Sequence, residues 1–181
     1  IVDVFHKDRI GLRLAWVPDA TDGKDYRYDG SYVAGLLGNW SLSAGAIDRW
    51  WGPGWQSSLN LSTSARPVNS VQLQRNFSDP FETPWLSWIG PWTLTLFAGQ
   101  LESEAAVPDA KLLGARLAFK PFSSLELGFA RSAQWGGEGR PQDWDSLWDM
   151  VLGNDNTGDD GIDRDTNEPG NQLGAVDLRW S

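Results

Sequence analysis

Alternation with a period of two is the feature that most limits what this chain can fold into. In Ile10 to Val17, Ile10, Leu12, Leu14 and Trp16 share one side, with Arg13 on the other. Residues 26 to 37 are rich in tyrosine, and Gly38-Asn39 offers a tight turn into Trp40 to Asp48. There Trp40, Leu42, Ala44 and Ala46 alternate with Ser41, Ser43 and Gly45. Trp92 to Leu101 reads as a further strand. In the next run, Leu113, Ala115, Leu117 and Phe119 take one side, and Gly114, Arg116, Ala118 and Lys120 the other. Pro121 to Ser124 makes a short turn, after which Leu125, Leu127 and Phe129 alternate with Glu126, Gly128 and Ala130. The chain closes with Gly174, Val176, Leu178 and Trp180 against Ala175, Asp177 and Arg179. The pattern predicts an all-β, antiparallel fold of about eight strands with one apolar and one polar face. A soluble sandwich buries the apolar face, whereas a barrel in lipid turns it outward and lines a wet lumen with Arg116, Lys120, Glu126 and Arg179. Alternation alone leaves both open.

The middle of the chain is less regular. Residues 49 to 70 are rich in Gly, Pro, Ser and Trp, and the runs 56 to 61 and 71 to 76 alternate only weakly. If both were full strands, the turns at 38–39 and 121–124 would fall on opposite rims. Single-chain barrels gather their short turns on one rim. Treating one weak run as a non-spanning loop restores the parity, so part of 49 to 90 is expected to fold inward or over an opening. One short helix is predicted over residues 142 to 152, where Trp144, Leu147, Trp148, Val151 and Leu152 fall at helical spacing. Acids occupy its first turn, and Gly153 can end it. No internal repeat or domain boundary is visible, and the 181 residues suit a single domain.

Composition narrows the function. Cysteine is absent, which removes disulfides, thiolate metal sites and a Cys nucleophile. No run approaches eighteen apolar residues, so no transmembrane helix is expected, a limit that leaves a transmembrane barrel open. No charged-then-apolar leader follows Ile1. The net charge of −9 belongs to one segment: residues 143 to 168 carry nine acids against one base, and the rest is nearly balanced. Nothing forms a basic nucleic-acid footprint. Asp155, Asp159, Asp160, Asp163 and Asp165 offer hard oxygen ligands, but their spacing matches no calcium loop, and a solvated surface loop is the expected reading. No metal or other cofactor is predicted. The single histidine, His6, has no Ser/Asp partners that can be argued around it. The acid pairs Glu102/Glu104 and Asp143/Asp145 lack a separation the sequence can fix. No catalytic residue is predicted.

Twelve tryptophans remain, a number that suits sugar-binding faces, protein interfaces and the aromatic girdles of membrane barrels. The densest cluster, Arg49-Trp50-Trp51-Gly52-Pro53-Gly54-Trp55-Gln56, supports two readings. Its tryptophans can stack on sugar rings while Arg49 and Gln56 bond hydroxyls or carboxylates, or they can pack a tight turn against a wall. Trp135, before Gly136-Gly137-Glu138, is a second sugar-facing candidate or else a girdle residue.

Three stretches resemble the Wzi-like capsule-assembly family. The first is Arg49 to Leu59 continuing through Leu61-Ser62 to Arg66-Pro67. The second runs from Phe81-Glu82-Thr83-Pro84-Trp85-Leu86 through Gly90-Pro91-Trp92 to Gly99-Gln100. The third is Leu112 to Pro141, with Lys120-Pro121-Phe122 and Arg131-Ser132-Ala133-Gln134-Trp135-Gly136-Gly137. The resemblance implies an outer-membrane barrel of roughly eighteen strands, of which this chain is one part within a single barrel domain. It also implies a non-catalytic surface lectin that anchors capsular polysaccharide, in contact with outer-membrane lipid or lipopolysaccharide and with the capsule-export machinery. Residues 1 to 181 are therefore expected to be a section of a longer barrel rather than a complete small one. Arg49, Trp50, Trp51, Trp55, Gln56 and Trp135 are the candidate polysaccharide-binding residues. Rival readings are an open outer-membrane channel, a soluble Trp-rich carbohydrate-binding sandwich, and an outer-membrane hydrolase. Blockage of the lumen by the 49 to 90 segment and the 142 to 152 helix would count against the channel.

Overall fold

A computed structural model describes residues 2–6, 9–18, 26–52, 58, 60–103, 105–153 and 170–181. Nine strands form one antiparallel sheet: β1 (Val2–His6), β2 (Ile10–Leu14), β5 (Tyr32–Leu37), β6 (Trp40–Ala46), β7 (Asn69–Arg75), β8 (Trp92–Gln100), β9 (Lys111–Phe122), β10 (Leu125–Trp135) and β11 (Gly170–Trp180). They neighbour one another in chain order, each turning back on the last, as a meander with no crossover. A two-stranded ribbon, β3 (Val17–Pro18) and β4 (Tyr26–Arg27), stands beside it. The first long alternating run is cut short at Leu14. The Ser31 hydroxyl accepts the Ala15 N–H and donates to the Ala15 carbonyl, both at 2.9 Å, which occupies backbone groups that a ladder would need.

The two weak runs part ways. Residues 69–75 are a full strand paired on both sides, while no described residue of 56–61 is in a strand. The expected parity follows. Register pairs Leu37 with Trp40 and Phe122 with Leu125, so the turns at Gly38-Asn39 and Ser123-Ser124 share a rim. The latter turn is tighter than the sequence suggests, because β9 continues through Pro121 to Phe122. The β1–β2 connection and residues 76–91 lie on the same rim. The opposite rim gathers the long connections 15–31, 47–68, 101–110 and 136–169.

Register also sorts the side chains. Ser43, Gln72, Phe97, Gly114, Ser132 and Leu173 form one row across β6 to β11, and Gln74, Thr95, Arg116, Ala130 and Ala175 the next. This polar face carries Arg116, Lys120, Glu126 and Arg179 together, as alternation predicted, with Glu126 directly opposite Arg179. Arg116 reaches across β10 to Asp177 on β11 in two bonds of 2.6 and 3.0 Å. Gly128 lies between them, and a Cβ there would collide with both charged groups. The opposite face exposes Leu42, Val71, Leu96, Leu117, Phe129, Val176 and Leu178. A water-soluble chain of this size does not normally leave so continuous an apolar surface uncovered.

The predicted helix is α1 (Trp144–Leu152). The Asp143 carboxylate caps it by accepting the Ser146 N–H, and Gly153 closes it at φ 77° in the left-handed region. Among the described residues, no helix is long and apolar enough to cross a membrane.

Candidate functional site

After β6 the chain folds back over the polar face as a strap, and Arg49 is its first anchor. Its guanidinium donates to Gln72 Oε1 at 3.0 Å, to Ser70 Oγ at 2.5 Å and to the Ile47 carbonyl at 3.1 Å. It also lies 4.1 Å from the centre of the Phe97 ring. These hydrogen bonds all go to neutral oxygens. Burial penalises the cation and lowers its pKa to about 10, with Asp48 opposing the shift, so Arg49 stays charged at neutral pH.

Trp51 is the second anchor, 6% exposed, and meets Phe97 edge to face at 5.4 Å. Its ring occupies the space over Gly114, where a Cβ would strike it. Trp51, Phe97 and Ala130 form a buried cluster on the polar face, with Leu61, Leu112 and Ala175 packed around them. The strap's return limb is held by the Trp51 N–H to the Leu61 carbonyl at 2.9 Å, by the Ser58 hydroxyl to the Trp51 carbonyl, and by Ser132 Oγ to Asn60 Oδ1 at 2.6 Å. The strap therefore touches the polar face from β7 to β11.

The candidate residues do not form one cluster. Arg49 and Trp51 converge on Phe97 and are taken up by packing, whereas Trp50, between them, is 36% exposed. Trp55 and Gln56 lie outside the described residues, as do Asp155, Asp159, Asp160, Asp163 and Asp165. Trp135 is on the opposite face. Its indole N–H donates to Ser146 Oγ of α1 at 3.1 Å, which ties the ring to the helix.

The helix does not lie over the polar side of the sheet, so any blockage there is left to the strap. Its Leu147 shares a groove with Val71, Ala98, Leu113 and Trp135, and Met150 and Val151 lie against Leu96, Leu113 and Ala115. Most of these residues have their side chains on the apolar face. The physical reason is a pair of polar residues in apolar phase. Arg131 donates to the Val151 and Met150 carbonyls, both at 2.6 Å, and Gln172 donates to the Met150 carbonyl at 2.9 Å. Arg131 also bonds Gln172 Oε1. A cation at a helix C-terminus satisfies orphan carbonyls and the helix dipole together. Sequence reasoning missed this clamp, although an arginine in the run Leu127-Phe129-Arg131-Ala133 was a signal.

The long-loop rim is knitted together around Arg66. Its guanidinium pairs with Asp29 at 3.2 Å and Glu102 at 3.1 Å, which joins three connections. Glu138 donates its N–H to the Pro108 carbonyl at 2.9 Å and adds the fourth. Glu102 and Asp143 thus have structural partners, and among the described residues no group of His, Cys, Asp and Glu is arranged to hold a metal.

Comparison with known proteins places this architecture. A solved structure described as Wzi, an outer membrane protein involved in group 1 capsule assembly in Escherichia coli and a carbohydrate-binding β-barrel, superimposes with a TM-score of 0.82 at 32% identity. The match covers 98% of this chain and 37% of that one. An uncharacterized 55.8 kDa protein in the cps region of Klebsiella pneumoniae is 44% identical over 160 residues, which is 88% of this chain and 31% of that protein. The chain thus spans about a third of the length of both relatives. The nine-stranded sheet matches a section of that barrel's wall, with the strap and α1 on its two opposite faces. The sequence profile of the capsule assembly protein Wzi matches residues 7–181, through eight of the nine strands and all four long connections, and the chain belongs to that family.

Proposed function

We propose that this chain is one continuous section of a single outer-membrane β-barrel domain that holds capsular polysaccharide at the bacterial surface without catalysing a reaction. The observation that carries the reading is the two-faced wall. One face exposes Val71, Leu96, Phe129 and Val176 as lipid requires, and the other is polar and covered by its own strap. Because the strap reaches from β7 to β11, an open channel along this part of the wall is disfavoured. The long-loop rim faces the cell surface in this reading, since short turns gather on the periplasmic side. Polysaccharide then meets the rim knitted by Arg66, where Trp50 offers an aromatic surface while Arg49 and Trp51 hold the strap beneath it. The carbohydrate-binding relative supports the choice of ligand.

The test is binding of the full-length protein to extracted capsular polysaccharide, wild type against Trp50→Ala. Binding by the wild type that weakens in the variant, with the barrel still heat-modifiable, supports the reading and its placement. Intact binding in the variant moves the contact to another rim loop. No binding by the folded wild type overturns the lectin function.

A further inference from the structure

The β10–β11 connection carries a helix with three distinct faces. Ser146, Leu147 and Met150 turn toward the wall, with Met150 fully buried and Ser146 bonded to Trp135. Asp145 and Asp149 make a second, exposed stripe. Trp144, Trp148 and Leu152, at i, i+4 and i+8, make a third, and they are 76%, 59% and 67% exposed. Such an apolar stripe on a nine-residue helix is costly in water. It points away from the side of the helix that meets the wall. Two open apolar grooves run between helix and wall, one floored by Val71, Ala98 and Leu113, the other by Leu96, Leu113 and Ala115. Lys111 and Gln100 stand at the rim end of the first, where lipid headgroups would lie.

From this geometry we infer that α1 is an interfacial anchor: it lies on the outside of the barrel wall and inserts Trp144, Trp148 and Leu152 among the acyl chains of the outer leaflet. The inference rests on the outer-membrane reading above and adds the element that makes the contact. Tryptophan favours the boundary between chains and headgroups, where its ring is buried and its N–H stays wet. An amphipathic helix held in that plane binds by its apolar stripe and leaves its acids in water. The Arg131–Gln172 clamp gives the helix a fixed place on the wall, because it satisfies the carbonyl end that lipid cannot.

Site-directed nitroxide labelling tests this in the full-length protein, on a cysteine-free background, reconstituted into dioleoylphosphatidylcholine vesicles. Labels are placed one at a time at Trp148→Cys, Leu152→Cys, Asp149→Cys and Val176→Cys, and collision with oxygen is compared with collision with a water-soluble nickel chelate. The labels at 148 and 152 are expected to favour oxygen several-fold more than the label at 149, approaching the wall reference at 176. If 148 and 152 read like 149 while 176 remains in lipid, the anchor is overturned and the barrel stands. If 176 is also nickel-accessible, the outer-membrane reading fails and takes the anchor with it.

Discussion

Two connections leave the same rim and settle on opposite faces of one sheet. Arg49, Trp51, Asn60 and Leu61 of the first lie on the polar face, and residues 136–153 of the second turn down the apolar one. Both are rich in tryptophan, and both are fastened by an arginine. Their difference lies in what each arginine meets. Arg49 is a strap residue that finds side-chain oxygens already on the wall, Gln72 and Ser70, and its ring contact with Phe97 seats Trp51 over Gly114. Arg131 is a wall residue in apolar phase that bonds one side-chain oxygen among the described residues, that of Gln172, and it recruits main-chain carbonyls from the helix as well. A tryptophan-rich loop is therefore not directed by its own composition. The parity of the wall residues that receive it decides whether its tryptophans are buried, like Trp51, or exposed, like Trp148.

The strongest way to break the comparison is to remove the inner anchor. Trp51→Ala vacates the centre of the buried cluster and is expected to cost about 3–5 kcal/mol, in the range of other large aromatic truncations. The strap should lift while α1 stays docked. Limited proteolysis of the full-length protein checks this: new cleavage confined to residues 47–68 sustains the independence of the two connections, and equal cleavage in 136–153 sinks it.

The outer anchor is the next lever. Arg131→Ala removes charge-assisted bonds to two carbonyls and is expected to cost about 2 kcal/mol, less than the loss of a buried indole. The helix should detach and the strap remain. A nitroxide at Trp148→Cys should become mobile in the Arg131→Ala background, with polysaccharide binding retained. Unchanged mobility would show that the apolar stripe alone holds the helix.

Much of this wall is legible in the sequence because alternation is local. The shared face of Arg116, Lys120, Glu126 and Arg179 follows from phase alone, and the parity of the short turns demoted one of the two weak runs. Which run to demote was not legible, since 71–76 owes its place in the sheet to pairing with β6 and β8 rather than to its own pattern. The site is harder still. Trp51 is recognisable as an anchor only once register sets Gly114 beside Phe97. Trp135 reads as either a sugar-facing candidate or a girdle residue as long as the alternation is taken only to Ala130. Carried on through Arg131 and Ala133, the same phase puts Trp135 on the apolar face, under the helix.

The smallest expected effect concerns the start of α1 and sharpens the contrast, because the strap has no comparable titrating cap among the described residues. Asp143 is held below its ordinary carboxylate pKa of 3.8, first by the Ser146 N–H it accepts. A carboxylate at a helix N-terminus is also favoured by the dipole. A depressed folded-state pKa means that the cap's contribution is fully present above the unfolded value and is lost as pH falls through the lower folded one. A nitroxide at Trp144→Cys should therefore report an ordered first turn from neutral pH down to about 3.8 and increasing mobility below it. Asp143→Asn keeps a side-chain oxygen for the Ser146 N–H but has no proton to gain, so its first turn should stay ordered through the same range. If both proteins loosen together on acidification, the transition belongs to another group, and the cap is not what orders the entry to the outer helix.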